Sequence, residues 1–142
     1  MKFMLIVKAD ARSEAGVLPD AALLNAMGAY NEDLVRAGVL LAAEGLQASA
    51  KGARVHFDGR GRRVEDGPFA HTDELIAGFW LIQARSLDEA IEWVKRVPSL
   101  GGSPAQIEIR QVFDAADFGD AASPELRASE QRLREQVAAR AG

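Results

Sequence analysis

The stretch Asp66-Gly67-Pro68-Phe69-Ala70-His71 holds the two side chains best suited to moving a proton. Asp66 supplies a carboxylate, and His71 an imidazole whose ordinary pKa near 6.5 lets it gain or lose a proton around neutrality. The pair is the candidate catalytic set. Lys8, at the end of the first apolar run, and Glu44, at the end of the second, are candidate ligand-binding charges, and Lys8 is placed to pair with Glu44 or Asp66 across a pocket mouth. Phe79 and Trp80 fall on opposite faces of one apolar run. One is expected to fill the core and the other to floor a pocket or a subunit contact, so both join the candidate ligand-binding set.

The same turn also has a purely structural reading. Gly67 can take backbone angles closed to other residues, Pro68 fixes φ and biases its predecessor away from helix, and Asp66 is expected to close the turn by accepting from the amides just after it. The other histidine, His56, falls on the polar side of an alternating run and reads as a solvated sheet residue. No metal or cofactor is expected. There is no cysteine, and His71, Asp73 and Glu74 lack the spacing of a helical ligand set. No serine sits at a glycine-flanked strand-to-helix elbow, and Gly101-Gly102-Ser103 has no basic residue after it to make a phosphate cradle.

The elements that must position these groups follow from periodicity. Phe3–Val7 and Ile76–Ala84 are apolar on both faces, which predicts the two central strands of a sheet. Ala9 to Leu18 reads as a loop. A helix is expected from Pro19 to Ala37, with Leu23, Met27, Tyr30 and Leu34 on one stripe and Gly38 as its stop. Val39–Ala43 predicts a second strand. Arg54-Val55-His56-Phe57 and Arg63-Val64-Glu65 predict a hairpin with its polar residues on a wet face. Ser86-Leu87-Asp88-Glu89 matches a capping box opening a helix to Val97, and Ile107-Glu108-Ile109-Arg110 a last strand. A tail helix from Ser123 carries only a thin stripe of Leu126, Leu133 and Val137.

This order, β-α-β, a hairpin, then β-α-β, predicts an α+β ferredoxin-like sandwich over residues 1–114, followed by a linker and a C-terminal helical extension over residues 115–142. Two helices cover one sheet face, so the other is expected to be covered by a second copy in a homodimer. With 142 residues, 48% of them apolar, the chain is long enough for one core. The net charge of −4, without a basic stripe, argues against nucleic acid as a partner. The opening run Met1–Val7 is too short to span a bilayer, and a cytoplasmic location without membrane contact is the expectation.

Several separated segments, among them Met1-Lys2-Phe3-Met4, Glu44-Gly45-Leu46, Lys51-Gly52-Ala53-Arg54-Val55, Asp66-Gly67-Pro68-Phe69 and Ser123-Pro124-Glu125-Leu126-Arg127, resemble the YCII-related family with its DGPF signature. The resemblance implies a ferredoxin-like fold of the dimeric α/β-barrel type and no single shared reaction. Relatives usually carry glutamate where this chain has His71, lysine where it has Asp73, and histidine where it has Gln47. The resemblance and the fold together imply a small organic molecule bound or transformed in a cleft between the sheet and a dimer partner, with Asp66 and His71 moving protons. The alternative it implies is a non-catalytic sensory or accessory module associated with extracytoplasmic-function sigma factors.

Overall fold

The computed structural model describes residues 1–99 and 104–141. The expected loop Ser99–Pro104, with Gly101-Gly102-Ser103, therefore lies largely outside the described residues. The chain divides into two compact units, Met1–Gln111 and Val112–Gly142.

The first unit is α+β, with antiparallel sheets. Its strands and helices are β1 (Lys2–Lys8), α1 (Ala11–Glu14), α2 (Ala21–Arg36), β2 (Leu40–Gly45), β3 (Ala53–Phe57), β4 (Arg62–Asp66), β5 (Ile76–Gln83), α3 (Leu87–Lys95) and β6 (Ile107–Gln111). A four-stranded sheet runs in the order β2-β5-β1-β6 with every pair antiparallel, and β3-β4 form a separate two-stranded sheet. The two runs apolar on both faces are the two central strands, and the order is consistent with a ferredoxin-like fold.

The core lies between this sheet and the helices. Phe3, Leu5, Trp80, Ile82 and Ala84 meet Tyr30 and Leu34 of α2 and Ala90 of α3, all buried. Tyr30 packs edge-on against Trp80, with ring centroids 5.4 Å apart and planes at 81°. Both aromatic polar atoms are satisfied: the Tyr30 hydroxyl donates to the Trp93 carbonyl at 2.8 Å and the Trp80 indole N–H to Asn31 Oδ1 at 2.7 Å. Burial pushes the Tyr30 phenol from 10.0 up to about 12, against a smaller opposing pull from Arg96. Folding thus favours the protonated phenol. Its contribution is complete below the unfolded-state pKa and is lost as pH rises through the interval between 10.0 and about 12. Tyr30 is the only tyrosine, so its phenolate absorbance can be followed without interference. Denaturation midpoints should fall steeply across that interval, and Tyr30→Phe should flatten the fall. A wild-type phenol titrating at its ordinary value would overturn the assignment.

Local signals set the helix ends. Helix α2 starts two residues later than the Pro19 expectation, because Asp20 is its N-cap and accepts the Leu23 amide at 2.8 Å. Gly38 ends it with φ +73. Ser86 accepts the Glu89 amide at 3.1 Å, while the Glu89 carboxylate reaches back to the Arg85 amide at 2.7 Å, which holds its carboxyl below the usual range. Gly28 lies mid-helix with nothing within 4 Å of where a Cβ would stand. Gly28→Ala should therefore stabilise the protein by about 0.5–1 kcal/mol, read as a raised urea midpoint.

Two expectations are corrected. The stretch from Ala9 to Leu18 is not all loop: Asp10 caps the short α1 by accepting the Ser13 amide at 2.8 Å, and the Ser13 hydroxyl accepts the Asp10 amide at 3.0 Å. The hairpin alternates as expected, but with its faces exchanged. Val55, Phe57 and Val64 are exposed, whereas Arg54, His56 and Glu65 are half-buried. The cause is partnering on the polar side. Arg54 lies 3.9 Å from the Phe69 ring centroid, and His56 Nε2 sits 2.8 Å from Glu65 Oε1, so His56 is a paired residue and not a freely solvated one.

The second unit has Phe113 stacked on Phe118 at 4.9 Å, 3-10 turns over Ala115–Ala121, and α4 (Pro124–Ala141). Ser123 caps α4 by accepting the Leu126 amide at 3.1 Å, and Arg127 donates to the carbonyls of Ala122 at 3.1 Å and Gly119 at 3.0 Å. Leu126, Leu133 and Val137 are exposed. No helix among the described residues is long and apolar enough to cross a membrane.

Candidate functional site

An open cavity of about 860 Å³ in the first unit lies where β1 ends. Val7, Leu23, Ala26, Ala77 and Pro98 give it apolar walls, and Lys8, Asp10, Arg12, Asp20 and Asp73 bring charge to it. Val7 and Lys8 are successive strand residues, which ordinarily point to opposite faces. A register shift between them, opposite Ile76 and Gly78, lets both line one cavity. The strand end is pinned by two backbone bonds, Lys8 N–H to the Gln106 carbonyl at 3.2 Å and Ala9 N–H to the Leu75 carbonyl at 2.9 Å.

Three loops are tied together beside it. Glu14, at the end of α1, accepts the Ser49 amide at 3.0 Å and the Ser49 hydroxyl. The same hydroxyl accepts the Phe69 amide at 3.0 Å, and the Gly67 amide donates to the Gly52 carbonyl at 2.9 Å. The signature turn, whose Gly67-Pro68 peptide is cis, is thus closed by the Ser49–Lys51 turn. Asp66 is exposed at the end of β4, and none of the hydrogen bonds among the described residues involves its carboxylate, so it is not the turn-closing group expected. The need for glycine at position 67 has the same source. A Cβ there would stand 1.7 Å from the Ser49 carbonyl oxygen, and Gly67 is not among the positive-φ residues. Ser49 was not singled out from sequence, since its neighbours Ala48 and Ala50 carry no pattern and its partners lie 35 and 20 residues away.

The six candidate residues are not brought together. Lys8 lines the cavity; Asp66, His71, Glu44, Phe79 and Trp80 do not. Trp80 belongs to the helix-side core, where its indole N–H is already bonded. It is the core-filling member of the aromatic pair, which removes it from ligand contact. Phe79 lies on the opposite sheet face, paired with Ile6 on β1 and with exposed Glu44 on β2. His71 is exposed, caps the 3-10 turn Thr72–Glu74, and has φ 60, the one non-glycine residue in the left-handed region among those described. No ion pair within 4 Å joins Lys8 to Glu44 or Asp66 among the described residues. Nor is any group of three or more histidine, aspartate or glutamate side chains among them placed to hold a metal ion.

The family model of the YCII-related domain matches residues 1–116. An uncharacterised protein of Rhizobium meliloti (strain 1021) is 31% identical over 91 residues, spanning 64% of this chain and 73% of that one. Among solved structures, the 5-chloro-2-hydroxyhydroquinone dehydrochlorinase of Burkholderia phenoliruptrix AC1100, in complex with 2,5-dihydroxybenzoquinone, aligns over 80% of this chain and 94% of its own at 15% identity and a TM-score of 0.44. With the family model covering residues 1–116, the chain belongs to the YCII-related domain family.

Proposed function

We propose that this protein binds a small organic molecule in the cavity at the end of β1, with Lys8 as its polar anchor. The observation that carries the reading is the cavity itself. Its volume of about 860 Å³ and its apolar walls, with polar groups converging on them, have the make-up of small-molecule sites. Ala22 lines the cavity from the first turn of α2 and is exposed, so Ala22→Trp should obstruct its α2 side without disturbing the core. In an NMR fragment screen, hits should shift the amides of Val7–Ala9 and Ala22–Ala26, and Ala22→Trp should abolish those shifts while leaving the unfolding midpoint unchanged. Hits that never touch these amides would overturn the proposal.

A second reading rests on His71. Left-handed backbone at a non-glycine residue carries strain that collects at functional sites. It keeps Asp66 and His71 as proton carriers for a ligand held against Phe79 and Glu44 on the other sheet face, in a cleft completed by a second copy of the chain. In the same screen, hits shifting Phe79, Glu44 and His71, and insensitive to Ala22→Trp, would favour it.

A further inference from the structure

We infer that the cavity's ligand is an organic monocarboxylate held by Lys8 and Arg12, a step that rests on the cavity reading above. Five charged side chains line the cavity: Lys8, Asp10, Arg12, Asp20 and Asp73. Two of the three carboxylates already have N–H donors. Asp10 accepts the Ser13 amide and Asp20 the Leu23 amide, each at 2.8 Å. The two cations have no such partner: among the described residues neither Lys8 nor Arg12 has a carboxylate within 4 Å.

Lys8 is half-buried with no carboxylate within 4 Å among the described residues, and an ammonium partly withdrawn from water is stabilised by an anion that enters beside it. Arg12 adds a planar fork that matches a carboxylate with two parallel hydrogen bonds. Its loop is held in place, because Glu14, two residues on, is bonded to both the amide and the hydroxyl of Ser49. The apolar residues Val7, Leu23, Ala26, Ala77 and Pro98 would take the organic body. Asp10, Asp20 and Asp73 outnumber the two cations on the lining, so only the carboxylate held directly by Lys8 and Arg12 is favoured and a second one is repelled.

The test uses 2-naphthoate, the neutral 2-naphthamide and 2,6-naphthalenedicarboxylate as probes in calorimetric titrations of the full chain. Wild type should bind 2-naphthoate about tenfold or more tightly than 2-naphthamide, the scale of a hydrogen bond to a charged group. Lys8→Met and Arg12→Gln should each remove most of that preference by weakening 2-naphthoate several-fold more than 2-naphthamide. Arg12 is exposed, so its variant keeps the test decisive if Lys8→Met does not fold. Asp73→Asn should strengthen binding of the dicarboxylate more than of the monocarboxylate. If the amide binds as tightly as the acid and Ala22→Trp abolishes both, the anion assignment is overturned and the cavity stands. If neither probe binds at millimolar concentration while other fragments still reach Val7–Ala9, the carboxylate assignment is again overturned and the cavity again stands. If no compound reaches those residues, the cavity reading falls as well.

Discussion

Gly67→Ala is expected to destabilise the protein by about 3 kcal/mol, within the range of severe overpacking. The added Cβ would stand 1.7 Å from the Ser49 carbonyl oxygen, 2.6 Å from its carbon and 3.3 Å from the Ala50 nitrogen. All three are backbone atoms, so no rotamer change relieves the overlap. The signature turn and the Ser49–Lys51 turn must move apart by more than an ångström. That separation breaks the Gly67 amide bond to Gly52 and the Phe69 amide bond to Ser49 Oγ. Each is worth about 1 kcal/mol, and their loss adds to the steric term. Urea denaturation followed by tryptophan fluorescence reads the effect, and an unchanged midpoint would show that the two turns are not held in contact. Asp66→Ala in the same assay should stay within about 0.5 kcal/mol of wild type, because the exposed carboxylate closes nothing.

This contrast shows what the sequence could and could not disclose. The Asp-Gly-Pro-Phe run announces a tight turn from residue chemistry alone, and the turn is there. What closes it is Ser49, a tertiary partner 20 residues from Phe69, and nothing local to Ala48-Ser49-Ala50 marks that role. The central strands were legible because a run apolar on both faces has one stable place, between two neighbours and under helices. The hairpin was legible as a hairpin, yet its faces were not. Alternation says which side chains share a face; which face turns inward depends on Arg54 finding Phe69 and His56 finding Glu65. The cavity was the least legible feature. Its wall from Asp10 to Pro19 has no periodicity, and the only local cue was Asp10 three residues before Ser13, a capping pattern that marks α1. Lys8 was readable as a strand-end charge, whereas Arg12 needed the fold to place it on the same cavity.

The double substitution Ile6→Thr with Phe79→Thr should weaken the proposed homodimer at least about a hundredfold, the scale of losing two buried anchors. Within the first unit the buried side chains of α2 and α3 join Phe3, Leu5, Trp80 and Ile82 on one face of the four-stranded sheet. Cross-strand partners share a face, so the register puts Met4 with Leu81 and Ala42, and Ile6 with Phe79 and Glu44, on the other. On β6 the same rows end in Arg110 and Glu108, which pair with each other at 3.3 Å. The opposite face therefore carries a half-buried apolar strip, Met4, Ile6, Phe79 and Leu81, edged by Arg110 and Glu108 on β6 and by Glu44 on β2. An apolar strip framed by charge is the make-up of a self-complementary interface, and a two-fold partner laying its own sheet against it covers both strips at once. Threonine keeps the strand preference of the positions it enters while removing their apolar contact, so the variant should retain the fold and the near-ultraviolet signal of buried Trp80. Analytical ultracentrifugation at micromolar concentration should find wild type as a dimer and the double variant as a folded monomer. A wild-type chain that sediments as a monomer would remove the dimer, and with it the intersubunit cleft in which Asp66 and His71 could act.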